Sequence, residues 1–144
     1  MKIVVASDER TGLTDFVIKY LKDKGHKLTY LGDLIDKRKK WKWVDIGIEA
    51  AELVSKAKVD QGILFCWSGT GICMAANKVK GIRAASCWDS ETTRLARKWD
   101  DANVLCMSLR ATSEQVAKEI IDVWFLTKFD EESLDQAHKL DKMI

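Results

Sequence analysis

Cys66-Trp67-Ser68-Gly69-Thr70-Gly71 sets a thiol, a hydroxyl and two glycines side by side, after the apolar run Gly62-Ile63-Leu64-Phe65 and before the apolar segment Ile72-Cys73-Met74-Ala75-Ala76. Glycines at a strand-to-helix junction permit a tight turn with outward-facing backbone N–H groups, which attract negative charge and favour the thiolate of a neighbouring cysteine. A thiolate so placed is a competent general base for a weakly acidic C–H proton, provided donors hold the oxyanion that develops. On this reading Cys66 is the base, the N–H groups from Trp67 through Gly69 and Thr70 to Gly71 hold an enediolate, and Ser68 exchanges protons with substrate oxygens. That chemistry is a 1,2-proton shift between an aldose and a ketose. A buried, inert cysteine ahead of an ordinary glycine turn fits the same residues, and the residue types alone leave both readings open.

Other chemistries fit less well. His26 and His138 fall outside the segments that would place them beside Cys66, which disfavours a Cys–His nucleophilic pair. Gly69-Thr70-Gly71 with Asp89 downstream loosely imitates a dinucleotide fingerprint, yet the third glycine is missing, and no Gly-Lys-Ser/Thr follows the turn to cradle phosphate. Cys66, Cys73, Cys87 and Cys106 show no Cys-x-x-Cys spacing and lie in or beside apolar segments. This favours reduced thiols and a cytoplasmic location, and argues against zinc or disulfides. A formal charge of +2 is too small to indicate a nucleic-acid partner, and the longest apolar runs fall short of a membrane span.

The elements that must carry these residues alternate in type. Lys2 to Ser7, Leu28 to Leu31, Gln61 to Cys66, Gly81 to Cys87 and Asn103 to Met107 read as strands. Leu13 to Lys24, Val44 to Ala57, the segment after Gly71, Ser90 to Trp99, Thr112 to Leu126 and Glu131 to Met143 read as helices, with Asp89 or Ser90 as an N-cap. This rhythm predicts an α/β fold: one domain over residues 1–144, with a five-stranded, mainly parallel sheet covered by helices on both faces. Ligands of such sheets bind beyond the carboxyl ends of the strands. There the loops Asp8 to Gly12, Cys66 to Gly71, Asp89 and Ser108 to Arg110 are expected to share one crevice. Arg10 and the run Lys37-Arg38-Lys39-Lys40-Trp41-Lys42-Trp43 are candidates to hold an anionic end of a substrate. Trp88, Trp99 and Trp124 are expected in the core or at an interface, and Cys73, Cys87 and Cys106 in the core.

Across Val59 to Arg110 the chain resembles the ribose-5-phosphate isomerase B / galactose-6-phosphate isomerase family. The likeness rests on Asp60-Gln61-Gly62-Ile63-Leu64, the Cys66-x-Ser68-Gly69-x-Gly71 turn, Ala75-Ala76-Asn77-Lys78, Gly81-Ile82-Arg83-Ala84 and Asp101-Ala102-Asn103-Val104-Leu105. The resemblance implies a three-layer α/β/α Rossmann-like sandwich, no cofactor and no metal. It also implies a homodimer or homotetramer with active sites at the subunit interface, and a cysteine base acting through an enediolate on a small sugar or sugar phosphate. By that likeness Asp8 is a sugar-hydroxyl ligand and Ser68 the family's hydroxyl residue. Trp67 stands where the family often has glycine and narrows the pocket. Trp99 and Asp100 occupy substrate-facing positions, but Arg97-Lys98-Trp99-Asp100-Asp101 replaces an Arg-x-His-Asn-Asp pattern, so the ring-opening histidine is gone. Glu9 and Arg10 replace the histidine that usually follows Asp8, and the family's phosphate-gripping arginines have no match near Ser133 to Lys139. Two expectations follow: an isomerase whose substrate needs no enzymatic ring opening, or a silent subunit that serves an active homologue.

Overall fold

In the computed structural model, which describes residues 1–143, five strands form a wholly parallel sheet in the order β2-β1-β3-β5-β4. The strands are β1 (Lys2–Ser7), β2 (Lys27–Gly32), β3 (Gln61–Cys66), β4 (Ala84–Ser86) and β5 (Val104–Ser108). Every residue of the central strand β3 is buried, as expected of an apolar run covered on both faces. The helices are α1 (Gly12–Asp23), α2 (Trp43–Ser55), α3 (Thr70–Ala76), α4 (Ser90–Asp100), α5 (Glu114–Leu126) and a single turn, α6 (Leu134–Ala137).

Strand alternation sorts the core into two layers. Ile3, Val5, Ile63, Phe65, Leu105 and Met107 face one way and pack against Leu13, Val17 and Leu21 of α1, Ala96 of α4, and Ile120, Ile121 and Trp124 of α5. Val4, Ala6, Leu64, Cys66, Val104 and Cys106 face the other way, under Ile46, Ala50, Ala51 and Val54 of α2 and Ile72, Cys73 and Ala76 of α3. The sheet with helices on both faces is the α/β sandwich expected. No helix among the described residues is long and apolar enough to cross a membrane.

Local side chains fix where the helices begin. Thr11 and Thr14 form a reciprocal capping box on α1, and Ser113 accepts from the Val116 N–H at α5. Asp89, not Ser90, caps α4 by accepting from the Thr92 N–H at 2.7 Å. Two expected elements are shorter than predicted. The Gly81 to Cys87 strand contracts to Ala84–Ser86, because Gly81 takes a φ of +82° and Arg83 turns its backbone and side chain to Asn103 and Asp101. The final helix breaks into 3-10 segments, Glu131–Ser133 and His138–Lys142, around α6. Of its residues only Ala137 is buried, so there is no apolar face to hold a continuous helix down. Of the tryptophans expected in the core or at an interface, Trp124 is fully buried and donates to Gln61 Oε1 at 2.9 Å, whereas Trp88 and Trp99 are exposed.

Candidate active site

β1 and β3 are neighbours although α1, β2 and α2 lie between them in sequence. Their connections leave in opposite directions, which opens a crevice at the carboxyl ends of the two strands. Ser7 pairs with Phe65 and Cys66 with Ser108. One step past the Ser7–Phe65 pair, continuing the register brings Asp8 level with Cys66, and the two line the same cavity. Alternation turns Asp8, Cys66 and Ser108 to the same side as Val4, Ala6, Leu64 and Cys106, toward α2 and α3. The strand ends therefore carry a carboxyl, a thiol and a hydroxyl in a row.

A cavity of about 270 Å³ opens over this row, lined by Asp8, Trp43, Cys66, Trp67, Ser68, Thr70 and Gly71. A second of about 350 Å³ adjoins it through Asp8 and Trp67 and adds Glu9. Gly69 takes a φ of +77°, and a Cβ there would stand 2.9 Å from the backbone of Met107 and Ser108, so only glycine lets the turn lie so close to the end of β5. At Gly71 the plane of Trp43 occupies the space of a side chain, 3.1 Å from where a Cβ would be. The Ser68 and Thr70 hydroxyls share a hydrogen bond of 2.8 Å that either can donate. The turn is tied to β5 by the Leu109 N–H on Cys66 O, the Arg110 N–H on Trp67 O, and Ser108 Oγ on Trp67 O at 2.8 Å. Among the described residues, the N–H groups of Ser68, Gly69 and Gly71 take no hydrogen bond, leaving donors beside the thiol.

Asp8 is half-buried, and its Oδ1 is enclosed without a hydrogen-bond partner among the described residues. Burial pushes its carboxyl above the usual range; its own backbone N–H opposes this in part, and the charges of Glu9 and Asp33 add to it. The other cysteines lie away from the crevice. Burial pushes the Cys87 thiol up to about 11 and Cys106 well above its ordinary value, whereas Cys73, which donates to Ala84 O, is held below its ordinary value by its contact with Cys106.

The sequence-predicted residues divide into two groups. Asp8, Cys66, Trp67, Ser68, Thr70 and Gly71 line the crevice, and Gly69 shapes its wall. Arg10 stands on the same rim, but its guanidinium is drawn to Asp15 at 2.7 Å and its N–H to Asp33, which weakens it as a free anion holder. Asp89 is spent as the α4 cap at the sheet's far edge, two strands from Cys66. Trp99 and Asp100 lie at the other end of the sheet, because α4 runs back against the strands. They line a cavity of about 350 Å³ with Ser133 and Gln136, and the length of β5, roughly 13 Å at 3.3 Å per residue, separates that end from Cys66. One chain does not bring them to the thiol. Trp43 and Arg110 entered the sequence reading only as the end of the basic run and the end of the Ser108 to Arg110 loop, with no role of their own. Their signals were positional: Trp43 opens the helix after β2, and Arg110 follows β5, both at the carboxyl end of the sheet.

The chain is similar to known proteins over nearly its whole length. The sequence profile described as Ribose/Galactose Isomerase matches residues 3–143. A probable ribose-5-phosphate isomerase B of Mycoplasma genitalium is 38% identical over 99% of this chain and 93% of its own length. The D-erythrulose-4-phosphate isomerase of Pectobacterium atrosepticum is 33% identical over 90% of this chain and 86% of its own length. The solved ribose-5-phosphate isomerase B of Clostridium thermocellum superposes with a TM-score of 0.90 at 32% identity, covering 99% of this chain and 97% of the other. The chain therefore belongs to the ribose/galactose isomerase family and is a sugar-phosphate isomerase.

Proposed function

We propose that the protein interconverts an aldose and a ketose phosphate of short chain length, with Cys66 as the base that moves the carbon-bound proton. The observation that carries this reading is the position of Cys66, level with Asp8 and opening into a cavity whose other wall is a turn with free N–H donors. The thiolate removes a proton from the carbon next to the carbonyl. The Ser68 hydroxyl and the turn's N–H groups hold the enediolate oxygen, which sets electrostatic stabilisation where charge develops.

The substrate class follows from position 99. Tryptophan cannot transfer protons to open a sugar ring, so the substrate that fits presents its carbonyl without help. A four-carbon sugar phosphorylated on O4 does so by its own connectivity, since the oxygen that would close a furanose ring is esterified. The similarity to a protein named for D-erythrulose 4-phosphate supports that class. Exposed Arg110, tied by its backbone to Trp67, and the basic loop Lys37 to Lys42 ahead of Trp43 are the cations at this end for the phosphate. A homodimer that brings the partner copy's Trp99 end to the Cys66 mouth would complete the site; Trp67 at 58% exposed and Trp99 at 48% leave room for such a contact. Four cysteines without a disulfide among the described residues support a cytoplasmic location.

Solvent deuterium exchange tests the reading. In D₂O the purified protein is expected to label C1 or C2 of a tetrose 4-phosphate faster than of pentose or hexose phosphates. Faster labelling of pentose 5-phosphates would overturn the substrate class. Exchange that appears only after a homologue is added would make the chain a silent subunit.

A further inference from the structure

An aldose–ketose isomerisation moves two protons, one between carbons and one between oxygens, and a base beside the carbons does not by itself serve the oxygens. Among the residues lining the cavity over Cys66, the only other side chain with an ionisable proton is Asp8. Ser68 and Thr70 are alcohols, able to hold an oxyanion but too weakly acidic to store its charge, and Trp43 and Trp67 do not ionise. Asp8 stands level with Cys66 across the β1–β3 boundary, on the same face, with Oδ1 enclosed and unpartnered among the described residues. An enclosed carboxylate oxygen without a donor is destabilising unless a ligand supplies one.

Building on the isomerase reading above, we infer that Asp8 is a catalytic residue, carrying the proton from O2 to O1 of the enediolate while Cys66 carries the proton from C2 to C1. The steps balance. The Cys66 thiolate takes the C2 proton, the freed electron pair forms the C1–C2 double bond, and the carbonyl pair moves onto O1, held by the turn. The Asp8 carboxylate then takes the proton of the O2 hydroxyl and delivers it to O1, so the negative charge passes from O1 to O2. The O2 charge forms the new C2 carbonyl, the double-bond pair takes the proton from the Cys66 thiol at C1, and both side chains return to their starting state.

The surroundings suit a proton carrier. The charges that act on Asp8 are acidic, Glu9 on its own loop and Asp33 after β2; Arg10, two residues on, is drawn to Asp15, and Trp43 is what α2 presents. Together with burial they raise the carboxyl and bring it nearer to the substrate hydroxyls it serves.

The experiment compares wild type, Asp8→Asn and Asp8→Glu on a tetrose 4-phosphate in D₂O, following label in unconverted substrate and net product separately. Asp8→Asn is expected to keep C–H exchange within about tenfold of wild type. Its kcat for conversion falls by about 10²–10⁴, with KM changed by less than about threefold. The acid limb of the kcat profile disappears in Asp8→Asn, and Asp8→Glu regains part of the conversion. Asp8→Asn turning over within about threefold of wild type would overturn the inference. So would a raised KM at unchanged kcat, which makes Asp8 a hydroxyl ligand only, or a parallel loss of exchange and conversion. Wild type that neither exchanges nor converts any sugar phosphate would instead sink the isomerase reading beneath it.

Discussion

The two ends of the sheet treat their polar groups in opposite ways. At the amino ends of β4 and β5, Arg83 donates to both Asp141 oxygens at 2.7 and 3.0 Å, to Asp101 O at 2.8 Å and to the Asp101 carboxylate at 3.3 Å. His138 bridges Asp101 and Asp141, and the Asn103 side chain joins Arg83 N–H to Gly81 O. Even Arg97, whose Nε lacks a hydrogen-bond partner among the described residues, lies over the Trp124 ring and bonds Ala102 O. At the carboxyl ends of β1 and β3 the Asp8 Oδ1, the turn's N–H groups and two hydroxyls are left with capacity to spare. A satisfied network fastens the C-terminal segment to the body, whereas an unsatisfied one is tolerable only where a ligand completes it.

Three changes break or sharpen this contrast. Gly69→Ala strikes the site end hardest. Its φ of +77° and the 2.9 Å approach to the β5 backbone force the turn to move. We expect a loss of roughly 2–4 kcal/mol in stability and at least about 10²-fold in kcat as the N–H donors leave their places. Chemical denaturation and steady-state kinetics read the two together. Arg83→Met strikes the fastening end, leaving Asp141 without its arginine and Asp101 with Arg97, at 3.9 Å, as its only arginine. A cost of about 3 kcal/mol is expected in urea unfolding, with Cys66-dependent C–H exchange retained; equal loss of both would mean that the two ends are not separate in role.

On stability Asp8→Asn gives the smallest effect, in the opposite direction. Burial raises the Asp8 carboxyl above its ordinary 3.8, so the folded protein holds that proton to higher pH than the unfolded chain does. The group's contribution to stability is complete below the unfolded value and is lost as pH rises through the folded one. At neutral pH ionised Asp8 is therefore a cost, kept below about 1 kcal/mol by its half-open setting. Asp8→Asn should raise the melting temperature by about 1–3 °C at pH 7, and the gain should vanish near pH 3. A lower melting temperature at pH 7 would mean that Asp8 has a stabilising partner.

Much of this contrast was legible in the chain. Apolar runs bounded by polar turns set β1 at Lys2–Ser7 and β3 at Gln61–Cys66 with the bounds expected, because buried parallel strands declare themselves by unbroken hydrophobicity. The Cys66 to Gly71 turn was legible because its glycines answer a local backbone demand. The level placement of Asp8 and Cys66 was not, since it depends on β1 pairing with β3 across 58 positions of chain. Trp99 and Asp100 were assigned to the site by family likeness, a relation that holds between sequences and is silent on which end of one chain's sheet a helix finishes. The shortening of β4 was hidden for a similar reason: it depends on Asn103 and Asp101, which bind Arg83 from a later segment.

The central claim is that Cys66 moves the carbon-bound proton. Incubating wild type and Cys66→Ala with a tetrose 4-phosphate in D₂O, and following the C1 and C2 proton signals by NMR, tests it most directly. The account predicts deuterium incorporation by wild type and its loss by at least about 10³-fold in Cys66→Ala, with substrate affinity within about threefold. Exchange by Cys66→Ala at the wild-type rate would contradict it.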